Sequence, residues 1–425
     1  MQLAKRFKSG IIILRIEKQM KLLLENWRRF TSLNEAINPA TIEKIEAALT
    51  QGGGETYIVG GAVRDEMMPG APSPKDIDFL VRKLPLYNIA SILAPMGSVK
   101  EVGRAFGVVT AVIDGEEFDF AIPRTAELKT GKKHTDFNVT TDPNAPIEAD
   151  LGRRDFTINA LAKDSEGNVI DHYGGLQDIQ DRVIRAVGDP HHRFSEDPLR
   201  MLRALQFATR FDFNIEPNTA DAIRSNLDKL NTVAAERIFL EFEKAWTKGA
   251  ANSNRLISLL GETGVGTHIF GKDFNPREIN LPQAQETNQK IVSNAIAFFV
   301  DGGNYAAMKP TNEIIKHIEL AKQAASGQEV YIYGADSRVQ LPLVSMVLNQ
   351  IGYTEASEKI EKALNLPLAP KELAIGGREL MQLGLKGPEI GQAQKQLIQA
   401  IHNNIVDNEA EQLLDLLRNA DETPI

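Results

Sequence analysis

Between about residue 41 and residue 172, the apolar positions switch repeatedly between helical spacing and strand alternation. Recurrence at i, i+3 and i+4 predicts helices over Thr41–Leu49 and Leu86–Ala94. Alternation or short apolar runs predict strands at Tyr57–Val59, Asp76–Val81, Gly107–Ile113 and Glu117–Ile122, with the hairpin dipeptide Asp114-Gly115 joining the last two. The stretch Thr125–Asp150 is polar, carries Lys129, Lys132, Lys133 and His134, and reads as a loop that moves during turnover. From Leu176 onward helical spacing takes over, at Asp178–Arg182, Pro198–Phe211, Thr219–Leu230, Ala234–Lys248 and Ser253–Gly264. It continues at Glu286–Val300, Asn312–Ser326, Pro342–Ile351, Thr354–Leu364, Gly377–Leu383, Pro388–Asn403 and Asn408–Asn419. Regions 265–285 and 301–311 are rich in Gly, Pro and Asn and read as connections. The fold class is α+β: a small head with an antiparallel or mixed sheet and helices, followed by an all-α remainder.

Two fragments of the head carry chemistry. Val59-Gly60-Gly61-Ala62-Val63-Arg64-Asp65 is a strand end running into a Gly-Gly turn and an arginine-bearing helix start. Adjacent glycines let backbone N–H groups approach a phosphate, although such a pair is more often only a turn. In Lys75-Asp76-Ile77-Asp78-Phe79-Leu80-Val81 the aspartates sit at i and i+2, so both carboxylates share one strand face while Ile77, Phe79 and Val81 take the other. Two like charges held side by side call for a divalent cation, and hard carboxylate oxygens suit Mg²⁺ shared with substrate phosphates. A phosphate-cradling turn feeding such a pair describes nucleotidyl transfer. In Glu117-Phe118-Asp119-Phe120, Asp119 supplies a third catalytic carboxylate if its strand neighbours that of Asp78; Glu117 shares its face and competes for the role.

Farther along, Arg153-Arg154-Asp155-Phe156-Thr157-Ile158-Asn159 offers Arg154, Asp155 and Asn159 to a triphosphate and a ribose hydroxyl. In Glu196-Asp197-Pro198-Leu199-Arg200-Met201-Leu202-Arg203, Pro198 marks a helix start. On a helical wheel Glu196, Arg200 and Arg203 fall together, with Asp197 close by. This is either a surface ion pair or a base reader. Cytosine and adenine both present an amino donor beside an unprotonated ring nitrogen. An Asp accepting from the first and an Arg donating to the second would take C and A and reject U and G.

Composition narrows the class. With 42% apolar and 25% charged residues, no cysteine and no apolar run near the ~18 to 20 residues of a membrane span, the chain reads as globular, without disulfides or thiolate chemistry and with no membrane partner. The reading is a cytoplasmic protein. The net charge of −9 is uneven: residues 1–30 hold eight Lys/Arg against Glu17 and Glu25, and the other 395 residues carry net −15. That basic start reads either as an organelle-targeting segment or as translation from an early start with Met20 as an alternative. An acidic total does not forbid RNA, which needs only a local basic patch. It says nothing of oligomeric state.

Five motifs in order (the Gly-Gly-Ala-Val-Arg-Asp turn, Asp76-Ile77-Asp78, Arg154 to Ala160, Glu196 to Arg200, and Glu236-Arg237-Ile238) resemble those of class II CCA-adding tRNA nucleotidyltransferases and bacterial poly(A) polymerases, over roughly residues 55–245. The segments Ile375 to Leu380 and Gly387 to Gly391 resemble a C-terminal element of the same family. The resemblance implies a polymerase-β-like catalytic head (41–172) after a basic extension (1–40), a helical neck that recognises the base (173–264), and a body and tail that bind tRNA (265–425). It implies nucleotide contacts at Gly60, Gly61, Arg64, Arg154, Asp155, Asn159, Asp197, Arg200 and Arg203, and Mg²⁺ on Asp76 and Asp78. Glu236-Arg237 would steady the neck. The implied reaction adds C, C and A to the tRNA acceptor end from CTP and ATP. A poly(A) polymerase, a partial CC- or A-adding enzyme, and a non-catalytic RNA-binding relative are the alternatives.

Overall fold

The computed structural model describes residues 37–69, 76–100, 108–129, 137–248, 253–281, 286–328 and 337–419. The chain divides into two units: residues 1–200 with 214–222, and residues 201–213 with 223–425.

The first unit is built on a seven-stranded mixed sheet in the order β3-β4-β5-β2-β1-β8-β9. Its strands are β1 (Glu55–Val59), β2 (Ile77–Arg82), β3 (Gly97–Lys100), β4 (Val108–Ile113), β5 (Glu116–Ala121), β8 (Leu161–Asp164) and β9 (Val169–Asp171). All neighbours run antiparallel except β2 and β5, which are parallel. The sheet is therefore mixed rather than purely antiparallel, because the helix Leu86–Leu93 and β3–β4 intervene between β2 and β5 and bring the chain back in the same direction. The hairpin at Asp114-Gly115 forms as expected, with positive φ at both residues. Asp114 also accepts a hydrogen bond from Thr41 Oγ1 (2.9 Å), which pins the start of helix α1 (Pro39–Gln51) to the hairpin.

Alternation along β2 and β5 decides what each face does. Phe79, Phe118 and Phe120 are fully buried and stack on the face without carboxylates, with ring centroids 6.0 and 5.1 Å from Phe79. Helices α1 and α3 (Leu86–Leu93) pack on the sheet through buried Ile45, Leu49, Ile89 and Leu93, with the short α2 (Gly61–Met67) between β1 and β2. The other face buries Val59, Leu80, Ala160 and Ala162 against Ile147 and Leu151 of helix α4 (Ile147–Leu151).

The segment expected to be a loop, 125–150, instead contains strands β6 (Arg124–Lys129) and β7 (Phe137–Thr141), paired antiparallel, and then α4. The polar composition of the stretch hid them. Lys132, Lys133 and His134 lie outside the described residues. Beyond β9 come α5 (Gly175–Asp181), α6 (Pro190–Glu196), α7 (Leu199–Phe211) and α8 (Pro217–Ser225), together with the short parallel pair β10 (Val183–Ile184) and β11 (Asn214–Ile215). The predominantly helical reading missed that pair, which is too short for any period to register.

The second unit is helical: α9 (Ala235–Lys248), α10 (Ser253–Thr263), α11 (Val265–Phe270), α12 (Thr287–Phe299), α13 (Asn312–Ala325), α14 (Ser337–Gln350) and α15 (Thr354–Leu364). α11 falls where a connection was expected, initiated by Gly264 at positive φ. Phe242, Trp246, Phe270, Phe274, Phe298 and Phe299 form one aromatic cluster with neighbouring centroids 4.8 to 6.4 Å apart. The last three helices, α16 (Gly377–Gln382), α17 (Pro388–His402) and α18 (Ala410–Asn419), have a core of their own around Leu380, Leu397, Ile398, Ile401 and Leu413. No helix among the described residues is long and apolar enough to cross a membrane.

Phe79 lies at the centre of the sheet's buried face. Phe79→Ala is expected to lower the stability of the first unit by about 3–5 kcal/mol in chemical denaturation, whereas a loss under about 1 kcal/mol would contradict this packing.

Candidate active site

One row of register partners crosses five strands: Ala162 on β8, Val59 on β1, Asp78 on β2, Asp119 on β5 and Thr110 on β4. Direct partners project to the same face, so the row sets the Asp78 and Asp119 side chains side by side at the end of the sheet where β1 turns into α2. Thr110 Oγ1 donates to Asp119 Oδ1 (2.5 Å), fixing that carboxylate from its outer side. Asp76 is exposed and immediately precedes β2. Glu117, the competing candidate, pairs with Val112 instead and lies 3.9 Å from Lys100, so it is Asp119 that stands beside Asp78.

The electrostatics follow from this crowding. Asp78 is exposed at the start of β2, yet the surrounding chain strips enough water from its carboxyl to push it above the usual carboxylate range; neighbouring Asp119 and Asp76 push the same way, and Arg154 pulls against them. Among the described residues no three Asp, Glu or His side chains converge into a ready-made metal cage. The donor set nonetheless fits a divalent ion: adjacent hard-oxygen ligands whose mutual repulsion a cation relieves, in the one- or two-carboxylate arrangement that leaves room for phosphates.

The turn beside the carboxylates is shaped by glycine. Gly60 has φ +73° and ψ −125°, a conformation that L side chains rarely adopt, and a Cβ there would stand 2.6 Å from Arg154 Nη1. Gly61 opens α2, and one turn in is Arg64, almost fully buried. Arg64 donates from Nε and Nη2 to Asp65 and from Nη1 to Asn159 Oδ1 (2.5 Å). Asn159 in turn donates from Nδ2 to Asp155 Oδ1 (3.0 Å), which also accepts the Phe156 N–H. Arg64, Asn159 and Asp155 thus form one chain of hydrogen bonds, 95 residues apart at its widest step. The turn Thr157–Asn159 is held from behind: buried Asp178 accepts from Thr157 Oγ1 (2.6 Å) and from Arg185 Nε.

Arg154 bridges the two halves of this arrangement. Its Nη2 pairs with Asp150 Oδ2 (3.2 Å), its Nη1 reaches the Asn159 carbonyl (3.4 Å), and its Nε is buried without a hydrogen-bond partner.

The segment expected to read the base is not one helix, as the wheel assumed. Glu196 is the last residue of α6, Asp197 is extended at φ −140°, and α7 begins at Leu199. The residue before a proline avoids helical dihedrals, so Pro198 starts one helix and ends the other. Asp197 Oδ1 accepts the Leu199 N–H (3.2 Å). Arg200 donates from Nη1 to Glu196 Oε2 (2.9 Å) and from Nη2 to the Arg153 carbonyl (2.9 Å), while Arg193 also pairs with Glu196 (2.9 Å). Arg203 falls in the second unit, its guanidinium 5.1 Å over the Phe207 ring.

Residues 56–185 match the family described as "Poly A polymerase head domain", and residues 212–276 match "Probable RNA and SrmB- binding site of polymerase A". A CCA-adding enzyme of Levilactobacillus brevis is 32% identical over 370 residues, covering 81% of this chain and 88% of the relative. The chain belongs to the CCA-adding enzymes. Its fold matches the CCA-adding enzyme of Bacillus stearothermophilus solved with CTP (TM-score 0.63, 26% identity, 90% of this chain and 98% of that one). It also matches the Thermotoga maritima enzyme solved with tRNA (TM-score 0.60, 19% identity, 92% and 98%). The enzyme is therefore a nucleotidyltransferase, of a family that is metal-dependent in general.

The raised Asp78 carboxyl carries a stability signature. A carboxyl raised in the fold stabilises it most at low pH, and that contribution is lost as pH rises from the unfolded value near 4 through the higher folded one. Asp78→Asn is therefore expected to melt at a higher temperature than the parent at neutral pH without divalent ions. The gap should close on acidification. Equal melting temperatures at neutral pH would contradict the crowding described.

Proposed function

We infer that this enzyme completes tRNA acceptor ends, adding C, C and A from CTP and ATP without a nucleic-acid template. The observation that carries the reading is the register row that sets Asp78 and Asp119 side by side at the end of β1, next to the Gly60-Gly61 turn. Solved relatives hold CTP in one case and tRNA in another, which agrees with the substrates assigned.

In this reading Gly60, Gly61 and Arg64 receive the triphosphate, and Arg154, Asp155 and Asn159 orient its phosphates and ribose. Asp76 and Asp78 would hold Mg²⁺, which when bound offsets phosphate charge and favours the alkoxide form of the attacking hydroxyl. Asp119, steadied by Thr110, serves the 3′-hydroxyl that attacks the α-phosphate as pyrophosphate leaves. Asp197 accepts from the amino group of the incoming base and Arg200 donates to its ring nitrogen, with Arg203 close in sequence. Arg200 keeps Glu196 and the Arg153 carbonyl while further N–H donors of its fork remain for the base. We assign chemistry to the head (41–172), base selection to the neck (173–264), and tRNA binding to the body and tail (265–425). The proposed substrates meet in the cytoplasm, and that is the compartment assigned.

A tRNA lacking its 3′ end, incubated with each nucleotide alone and in pairs, tests the reading on a sequencing gel. Two C additions with CTP, then one A with ATP and arrest, are expected, and Asp78→Ala should abolish them. Long A tails from ATP alone would indicate a poly(A) polymerase instead. Asp197→Ala should blur the choice between nucleotides by roughly ten- to a hundredfold, the equivalent of about 1–3 kcal/mol for an unsatisfied polar edge. Undiminished selectivity in that variant would remove Asp197 from base reading.

A further inference from the structure

We propose that Asp150 is a positioning residue for nucleotide transfer, holding the Arg154 guanidinium against the Gly60 turn and tying it to the first residue of β6. The proposal rests on the reading of Arg154 as a nucleotide contact.

Asp150 projects from α4, which Ile147 and Leu151 pin into the core with Val59, Leu80, Ala160, Ala162 and Val187. The carboxylate is itself buried, 8% exposed, and a buried charge is tolerated only when paired. Its two oxygens serve different parts of the chain: Oδ2 accepts from Arg154 Nη2 (3.2 Å), and Oδ1 accepts the backbone N–H of Arg124 (3.3 Å). Arg154 follows the end of α4 rather than lying on it, so this is not a rotamer pair on an exposed helix face.

The guanidinium is consequently held through its two terminal nitrogens, by Asp150 and the Asn159 carbonyl, and unspent at Nε. Nη2 is fixed by Asp150, Nη1 presses on Gly60, and the buried Nε–H has no partner. A planar fork fixed from behind, with one edge against a glycine turn and an Nε–H left without a partner, is suited to a phosphate oxygen of a nucleoside triphosphate.

The test is a double-mutant cycle with Asp150→Asn, Arg154→Ala and the double variant, read as kcat and KM for CTP on tRNA lacking its 3′ end, and as the CTP dissociation constant. Asp150→Asn can keep the acceptor for the Arg124 N–H while removing the charge and replacing the oxygen that accepts from Arg154 Nη2 with an amide donor. It is expected to raise KM and the dissociation constant for CTP about tenfold, more than it lowers kcat, and to add nothing once Arg154 is alanine. Unchanged CTP affinity in Asp150→Asn, or the same loss with and without Arg154, would overturn the proposal. If the cycle cannot be followed by turnover, the CTP dissociation constants alone decide it. A parent enzyme that binds CTP but does not extend tRNA would instead overturn the functional reading.

Discussion

The parallel pairing of β2 with β5 is the constraint on which the site depends. Backbone hydrogen bonds hold Asp78 opposite Asp119 whatever the side chains prefer, and the ladder is anchored by Phe79, Phe118 and Phe120 on the far face. The same alternation that buries the aromatics presents the carboxylates. Their repulsion is a local cost that the apolar face offsets, since burying each large aromatic contributes on the order of 2–3 kcal/mol. A one-residue slip of either strand would put the aspartates into the core and the phenylalanines into solvent, so register and chemistry are specified together.

The cationic side of the site is built on a different principle. Arg64, Arg154 and Arg200 owe their positions to carboxylates and carbonyls from several segments: Asp65 and Asn159, Asp150, Glu196 and the Arg153 carbonyl. The stretch from Asp150 to Asn159 contributes to all three sets. It leads directly into β8 and is fastened to the Arg185 carbonyl through the Thr157 N–H and to buried Asp178 through the Thr157 hydroxyl. The carboxylates thus come from the sheet ladder, and the arginines are aimed by a network that converges on one short segment.

Much of this was legible in the sequence, and the exceptions are physically coherent. The alternation of β2 and β5, the Asp114-Gly115 hairpin and most helices of the second unit appear because each repeats a period or ends in a recognisable turn. The neighbour relation of Asp78 and Asp119 was an expectation that only tertiary pairing could establish. β6 and β7 were missed because of their polar composition, the β10–β11 pair because two residues a side are too short for any period to register, and α11 because its glycine-rich flanks resemble a connection. The Glu196–Arg200 contact was anticipated from a wheel that does not apply there. The contact survives because a helix end, an extended Asp197 and a new helix start return the side chains to almost the same separation. Asp178 and Thr110, which fasten the site from outside it, leave no local signal at all. Asp150 leaves one, standing four residues before Arg154.

The difference between ladder and network bears on how one site can serve two nucleotides. The phosphates of CTP and ATP are alike, and a ladder-fixed pair of carboxylates suits chemistry that must not vary from one addition to the next. The bases differ in size and share only the edge that Asp197 and Arg200 are proposed to meet. A reader made of side chains can follow that edge if its supports leave donors to spare. Arg200 is gripped by Glu196 at Nη1 and by a carbonyl at Nη2, so its plane is set while the rest of the fork stays available. Lysine could not take its place, because a single ammonium gripped by Glu196 offers a base no fixed plane of donors. The requirement for a planar, partly committed cation therefore selects arginine at this position, just as the turn at Gly60 selects glycine.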